Sequence, residues 1–254
     1  MNLTILKIGG SVITEKGSVS VAKKDEIDRI SQEIAAFKKE VKLPIILVHG
    51  AGSFGHPQAI EHLSKGFNAN GVYLTHASVK SLNSMVVDSL NKAGLNALPV
   101  HPLSSCLLEN GNIVDFKTGH INLMLDRDIV PVLHGDVVMD RVLGAAVLSG
   151  DRIVPYLATV TAASGIGAGS NVDGVLDNKG EVIKKITPHS FVDIKKDIQG
   201  ASSPDVTGGM LGKVSELVEL SKKGISSRVF NAAKKSMVSK FLYGEDVGTL
   251  IADK

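Results

Sequence analysis

The chain has 254 residues, 43% of them hydrophobic and 21% charged, which is typical of a folded globular protein and excludes a disordered or fibrous one. The formal net charge is +2, the Lys and Arg residues are scattered, and the chain has three Tyr, seven Phe and no Trp, so we expect no nucleic-acid partner. The single cysteine, Cys106, excludes an internal disulfide, and no apolar run approaches the roughly 18 residues of a membrane span, so we expect a cytoplasmic protein with no membrane partner.

The first part of the chain predicts two strands that each end in a glycine loop. A β-rich run at 3–8 ends in Gly9-Gly10-Ser11, and a second run at 44–49 ends in a longer loop at 50–55. The segment 23–40 between them predicts an amphipathic helix, because its apolar residues recur at helical spacing: Ile27, Ile30, Ile34 and Phe37. A strand, helix and strand in this order have a right-handed crossover, so both loops should emerge at one edge of a parallel sheet.

The loop after the second strand predicts an anion site. Glycines let main-chain N–H groups approach a phosphate closely, and His56 closes the loop. Gly50, Gly52 and Gly55 also match the dinucleotide pattern G-x-G-x-x-G, but the acidic residue that this pattern requires about 20 positions later is missing. A phosphate site is therefore favoured over a nicotinamide site, and Lys7 in the first strand could aim its ammonium group at the same ligand.

The middle of the chain predicts one long helix followed by short strands. The helix is expected at 75–94, and its apolar stripe either packs in the core or lines an apolar substrate pocket. A small element is expected at 103–108, and Asn110-Gly111-Asn112 is typical of a hairpin turn. Further strands are expected at 97–100 and 129–133, and a β-ribbon is expected at 137–147.

Two features in this region concern polar residues at the ends of strands. His134 is interpreted as a core or loop histidine rather than a metal ligand, because no second histidine or acid follows at helical spacing. The segment Ser149-Gly150-Asp151 is typical of a helix N-terminus, where Ser or Asp caps the first N–H groups and anions are attracted.

The last third of the chain contains a glycine-rich segment of ambiguous structure. Residues 161–171 are either a weakened strand or a further ligand-facing loop. A helix is expected at 211–223, with Lys213 in its first turns, after Gly208-Gly209. The spacing of these residues does not match a Walker A loop. Closing strands are expected at 227–231 and 248–252.

Taken together, these residue types indicate phosphoryl transfer. That reaction needs donors around the phosphate oxygens and cations that offset the charge gathered between two anions. The chain supplies glycine loops at 9–11, 50–55 and 208–209, lysines at Lys7, Lys16 and Lys213, and acids at Asp151, Asp173 and Asp205. It contains neither a G-x-S-x-G elbow nor an H-E-x-x-H motif, so a hydrolase is not indicated.

Five motifs together resemble those of the amino acid kinase superfamily: Lys7-Ile8-Gly9-Gly10-Ser11, His49-Gly50-Ala51-Gly52-Ser53-Phe54-Gly55-His56, Leu148-Ser149-Gly150-Asp151, Val172-Asp173-Gly174-Val175 and Asp205-Val206-Thr207-Gly208-Gly209-Met210. The second and fifth are similar to those of its isopentenyl phosphate kinase branch, and the likeness runs from Leu3 to Ile251. The resemblance implies an α/β fold, an αβα sandwich with an open, mainly parallel central sheet. It also implies one domain at 1–254, with an acceptor and dimer half at about 1–148 and an ATP half at about 149–254, and a homodimer.

The resemblance further implies an activity and its residues. The reaction would be ATP-dependent phosphorylation of isopentenyl phosphate to isopentenyl diphosphate in an alternative mevalonate pathway, with ATP and Mg²⁺ and no metal held by the protein itself. The catalytic residues would be Lys16, Lys7, His56 and Asp151. The ATP site would contain Lys7, Ile8, Gly9, Gly10, Ser11, Gly52, Asn171, Gly209 and Lys213. The prenyl monophosphate would be bound by Ala51, His56 and Gly150.

Two departures from the family pattern bear on nucleotide affinity and on the stability of a central strand. Asn171 stands where the family usually has an aspartate, which removes a carboxylate near the nucleotide, and 165–169 is glycine-rich where the family has an aliphatic strand.

Two alternatives stay open at this point: a kinase of a phosphonate such as fosfomycin, which would have a small polar pocket, or a non-catalytic nucleotide-binding protein of the same fold.

Overall fold

An eight-stranded sheet, flanked by helices, forms the centre of the fold. The computed structural model describes residues 3–63, 66–200 and 209–253. The strands are, in chain order, Thr4–Ile8 (β1), Ile45–His49 (β2), Ala97–Pro99 (β3), Cys106–Glu109 (β4), Asn112–Phe116 (β5), Val130–His134 (β6), Asp136–Asp140 (β7), Gly144–Leu148 (β8), Gly165–Ser170 (β9), Lys185–Ile186 (β10), Ser226–Asn231 (β11) and Thr249–Ile251 (β12).

The helices connect these strands and cover both faces of the sheet. They are Gly10–Ile13 (α1), Lys24–Glu40 (α2), His56–Leu63 (α3), Ala69–Lys92 (α4), Pro102–Ser105 (α5), Gly119–Leu125 (α6), Gly150–Val160 (α7), Pro188–Gly200 (α8), Gly209–Ser221 (α9) and Met237–Leu242 (α10). Within the described ranges, none of them combines the length and the apolar composition that crossing a bilayer requires.

The central sheet is mainly parallel, as expected. Its strand order is β10-β12-β11-β9-β1-β2-β6-β3, and among the described residues only the β11–β12 pair of this sheet is antiparallel. A smaller sheet, in the order β5-β4-β7-β8, carries the predicted hairpin and ribbon. Because all parallel strands run the same way, the loops after β1, β2, β6 and β9 emerge at one edge.

Two apolar cores lie on opposite faces of the sheet. Successive residues of a strand point to opposite faces. In β1, Ile5 packs in the core that contains α7 and α9, whereas Leu6 packs in the core that contains α2, α4 and α10. The strands are buried on both faces, which explains why β1 and β2 read as nearly continuous apolar runs. This arrangement of layers confirms the αβα sandwich.

Two local predictions need correction, and a third is given in more detail by the structure. Helix α4 begins at Ala69, six residues before the predicted start, because the side chain of Asn68 accepts a hydrogen bond from the N–H of Asn70 and caps the helix. The N-terminus of α7 lies where expected, but the side chain of Ser149 makes no capping hydrogen bond. The element at 103–108 is the end of α5 followed by β4.

The glycine-rich segment is a central strand rather than a ligand-facing loop. Strand β9 pairs with β1 on one side and with β11 on the other. A β carbon on Gly167 would collide with the ring of Phe241 from α10, and one on Gly169 would lie 2.7 Å from the β carbon of Ala232. Gly167 and Gly169 therefore have no room for a side chain, because neighbouring groups occupy that space.

Gly167→Ala is expected to lower the free energy of unfolding by about 1–3 kcal/mol, the cost of overpacking a filled core. The added methyl group must displace the ring of Phe241, which stacks on Phe230 at a centroid distance of 5.1 Å. Gly165→Ala in the same strand is the matched control, since the nearest atom to its new β carbon is 4.0 Å away. Urea unfolding of both variants measures the difference, and equal stabilities would contradict the packing argument.

Candidate active site

The two glycine loops predicted to share one edge touch each other through their backbones. A β carbon on Gly10 would collide with the backbone nitrogen of Gly52, and one on Gly50 would lie 2.5 Å from the nitrogen of Gly10. The hydroxyl of Thr14 joins the loops, because it donates to the carbonyl of Gly10 at 2.8 Å and accepts from the N–H of Ser53 at 3.1 Å. The predicted convergence of these loops is confirmed.

An ion pair between a buried lysine and a partly exposed aspartate lies beside the loops. The Nζ atom of Lys7, a residue only 5% exposed, is 3.0 Å from Oδ1 of Asp151, the second residue of α7. Both residues line a small cavity, and Lys213 from α9 lines it as well. Burial raises the pKa of Asp151, but the charges of Lys7 and Lys213 and the hydrogen bond from Lys7 outweigh burial and hold that pKa below its ordinary value. Asp151 is therefore a carboxylate at neutral pH.

The lowered pKa of Asp151 predicts a pH-dependent contribution to stability. A group with a lower pKa in the folded than in the unfolded state stabilises the fold above its unfolded pKa, here about 3.8, and loses that effect as the pH falls through the folded pKa. The difference in unfolding free energy between the wild type and Asp151→Asn should therefore be largest near neutral pH and shrink below the ordinary pKa. Asp126→Asn, in an exposed turn, controls for the loss of one negative charge. Urea titrations at several pH values test this, and a constant difference would contradict it.

Two backbone amides lie next to this ion pair. The backbone nitrogens of Ala51 and Gly150 each lie 3.6 Å from the point where Gly135 would carry a β carbon. Among the residues that the structure describes, no group accepts a hydrogen bond from either amide. The side-chain stem of Lys7 passes close to Gly150, since a β carbon on Gly150 would lie 3.7 Å from Cε of Lys7. We call Ala51, Gly135 and Gly150 the amide cradle.

The remaining predicted residues of the first half lie at the end of β1 or in the segments that follow β1 and β2. Ile8 ends β1, and its carbonyl accepts from the N–H of Gly50 at 2.9 Å. The N–H of Gly9 donates to the carbonyl of Gly169 at 2.8 Å, so Gly9 would contact a nucleotide through other atoms than its N–H. Ser11 is half-buried in α1, and His56 is exposed as the first residue of α3. Lys16 is exposed in the loop after α1.

The other predicted residues of the second half follow β9 or begin α9. Asn171 is exposed at the end of β9, and Gly209 begins α9 with a φ of +56°. The first four residues of the motif Asp205–Met210 lie outside the described residues. Asp173 accepts from Asn231 at 2.8 Å and pairs with Lys234 at 2.7 Å. The hydrogen bonds from Lys234 and Asn231 lower the pKa of Asp173, so a carboxylate remains at this edge although Asn171 is neutral.

Sequence reasoning did not single out Gly135 as part of the cradle. A signal was present, because β2 and β6 both end in the dipeptide His-Gly and pair in register, His49 beside His134. His134 is buried and hydrogen-bonded, as interpreted. Across 3–63, 66–200 and 209–253, no three His, Cys, Asp or Glu side chains lie close enough to hold a metal ion.

Comparisons with known proteins identify relatives that match nearly the whole chain. The chain is 38% identical to the isopentenyl phosphate kinase of Methanocaldococcus jannaschii, with 98% of each chain covered. It is 39% identical to the isopentenyl phosphate kinase of Haloferax volcanii, with 99% of each chain covered. A solved structure described as an X-ray structure of isopentenyl phosphate kinase superposes with a TM-score of 0.82 at 32% identity, covering 98% of this chain and all of that one. The model of the amino acid kinase family matches residues 2–231. The chain therefore belongs to the amino acid kinase family.

Proposed function

We propose that this chain transfers the γ-phosphoryl group of ATP to isopentenyl phosphate and forms isopentenyl diphosphate. The observation that carries the proposal is the position of the amide cradle beside the Lys7–Asp151 pair. The two N–H groups of the cradle would suit a monophosphate, and the neighbouring lysines would suit the phosphates of a nucleotide. The relatives named above, which match over nearly their whole length, support the choice of acceptor.

In the proposed reaction, an oxygen of the acceptor phosphate attacks the γ-phosphorus of ATP. A new P–O bond forms while the bond to the β–γ bridging oxygen breaks, and ADP leaves. Lys7 and Lys213 would offset the charge of the ATP phosphates, with Asp151 fixing their ammonium groups. Lys16 would approach the transferring group from its loop. ATP would be held by Gly9, Gly10, Ser11, Gly52 and Gly209, with Ile8 and Asn171 at its borders.

The acceptor phosphate would lie in the amide cradle. The N–H groups of Ala51 and Gly150 would donate to its oxygens, and His56 would add a third donor. Mg²⁺ would accompany ATP and be held mainly by phosphate oxygens, because Asp151 is already paired with Lys7. Its chemistry would be to neutralise charge on those oxygens.

His56→Ala should raise the KM for isopentenyl phosphate by about tenfold or more, the loss expected for one hydrogen bond to a charged group. The KM for ATP should change little, since His56 follows the acceptor loop rather than the loop after β1. His189→Ala, which removes an exposed histidine from α8, is the matched control. Initial rates with each substrate varied in turn measure both constants, and equal increases in the two would contradict the role.

The experiment that tests the function is an ADP-release assay with three conditions. Isopentenyl phosphate, fosfomycin and no acceptor are offered to the same enzyme with ATP and Mg²⁺. We expect rapid ADP release with isopentenyl phosphate, and ³¹P NMR should show a diphosphate product. Turnover only with fosfomycin would instead identify a phosphonate kinase, and no release with either acceptor would indicate a non-catalytic nucleotide-binding protein.

We also propose that the chain is one domain at 1–254, with acceptor and dimer functions at about 1–148 and ATP binding at about 149–254. The large sheet supports this, because it takes strands from both halves. We further propose that the protein is a cytoplasmic homodimer and that it serves an alternative mevalonate pathway. Apolar side chains near the β3 edge of the sheet, Leu98 at 45% and Leu123 at 56% exposure, are consistent with a second copy there.

A further inference from the structure

Two buried histidines at the acceptor end of the sheet make the same local contact. His49 ends β2, His134 ends β6, and their rings stack with centroids 5.7 Å apart. In each case Nδ1 approaches the carbonyl oxygen of the next glycine, at 3.1 Å for Gly50 and 2.9 Å for Gly135. A carbonyl oxygen only accepts hydrogen bonds, so both Nδ1 atoms carry the proton.

The other ring nitrogen of His49 is held by Asn83 from α4. The Nδ2 atom of Asn83 lies 3.0 Å from Nε2 of His49 and 3.4 Å from the carbonyl oxygen of Val132. An amide atom that faces a carbonyl must be the NH₂ group, so Asn83 donates to both, and Nε2 of His49 is unprotonated. His49 is thus a neutral imidazole of fixed tautomer, in agreement with burial that lowers its pKa to about 4.

The contact with Gly50 determines where the next amide points. In a trans peptide the C=O and the following N–H lie on opposite sides. The ring that binds the carbonyl of Gly50 therefore turns the N–H of Ala51 away from itself, and that nitrogen is one of the two donors of the amide cradle. His134 differs in its consequence, because the N–H of the peptide that it binds belongs to Asp136 in β7, which is not one of the two donors of the cradle.

We propose that His49 is a positioning residue that keeps the N–H of Ala51 aimed at the acceptor phosphate, with Asn83 holding the required tautomer. This inference rests on the proposed function, because it assumes a monophosphate in the cradle. His49 itself does not touch the acceptor. His49 acts on the N–H of Ala51 through the peptide group between Gly50 and Ala51. A sequence pattern cannot reveal such an indirect role.

Two substitutions of His49 separate positioning from mere bulk. In His49→Asn the side-chain amide takes the place of Nδ1 and still donates to the carbonyl of Gly50, whereas in His49→Gln it takes the place of Nε2 and leaves that carbonyl unbound. We expect His49→Gln to raise the KM for isopentenyl phosphate about tenfold or more, with the KM for ATP within about twofold. His49→Asn should stay within about threefold of the wild type, since it keeps the contact. His189→Gln, in α8, is the control for the His-to-Gln change.

Equal increases in the acceptor KM for both His49 variants, or equal increases in the two substrates' KM values, would overturn the proposal. A second measurement does not depend on turnover. The ¹⁵N NMR spectrum of the ring nitrogens should show His49 as the neutral Nδ1–H tautomer from pH 5 to 8, and a titrating or Nε2–H ring would overturn the proposal. Failure of the wild type to phosphorylate isopentenyl phosphate would instead count against the proposed function, and the ring spectrum distinguishes the two failures.

Discussion

Gly135→Ala is expected to raise the KM for isopentenyl phosphate by at least about 100-fold, because two hydrogen bonds from amides to a charged phosphate would be lost. The new β carbon would lie 3.6 Å from the nitrogens of both Ala51 and Gly150, at the place where a phosphate oxygen would have to sit. An accepted N–H···O bond needs that oxygen at about 2.9 Å from each nitrogen. The methyl group and the oxygen would therefore overlap.

The same substitution should leave the fold intact. A distance of 3.6 Å is an ordinary van der Waals contact, and Gly135 does not have a positive φ, so alanine fits without moving the backbone. Gly119→Ala is the matched control, because its β carbon meets no atom within 4 Å. Steady-state kinetics and thermal unfolding test both variants. An unchanged acceptor KM in a folded Gly135→Ala protein would show that the phosphate binds elsewhere.

Lys7→Met is expected to lower kcat by about 10²- to 10³-fold, the loss typical of removing one donor that stabilises developing charge. Methionine keeps most of the volume of the buried stem but removes the ammonium group that lies 3.0 Å from Asp151. The negative charges of ATP and of the acceptor would then meet with one cation fewer between them. Because negative charge around the transferring phosphoryl group is greatest in the transition state, the loss of the ammonium group should lower kcat, measured at saturating concentrations of both substrates.

The control for Lys7→Met is Lys92→Met, which removes an exposed ammonium group at the end of α4. Its kcat should match that of the wild type. A kcat of Lys7→Met within about threefold of the wild type would contradict a role for Lys7 in stabilising transferred charge. Circular dichroism on both proteins separates a loss of chemistry from a loss of structure.

The sequence alone predicted the elements whose periodicity is strong. The segment β1, α2 and β2 was placed within a residue or two, because its apolar positions follow strand and helix spacing without interruption. The start of α4 was missed, since Asn68 looks like a loop residue until its side chain is seen to accept from Asn70. The local cap decided the boundary there.

The candidate site was predictable only where the chain itself marks it. Glycines after β1 and β2 indicated a phosphate loop, and their contact follows from the topology of a parallel sheet. The contribution of Gly135 depends on the spatial neighbours of β6, which no local pattern contains. The glycines of β9 are similar, because the groups that occupy their space, Phe241 and Ala232, come from more than 60 residues further along the chain.

The backbone contact between the loops at Gly10 and Gly50 limits how an enzyme of this kind could diversify. The two loops are in direct backbone contact, so no exchange of side chains elsewhere can bring them closer together. New acceptors would have to be accommodated by remodelling the outer walls that receive the rest of the molecule. The reacting ends would stay at a separation dictated by the main chain, whatever tail the acceptor carries.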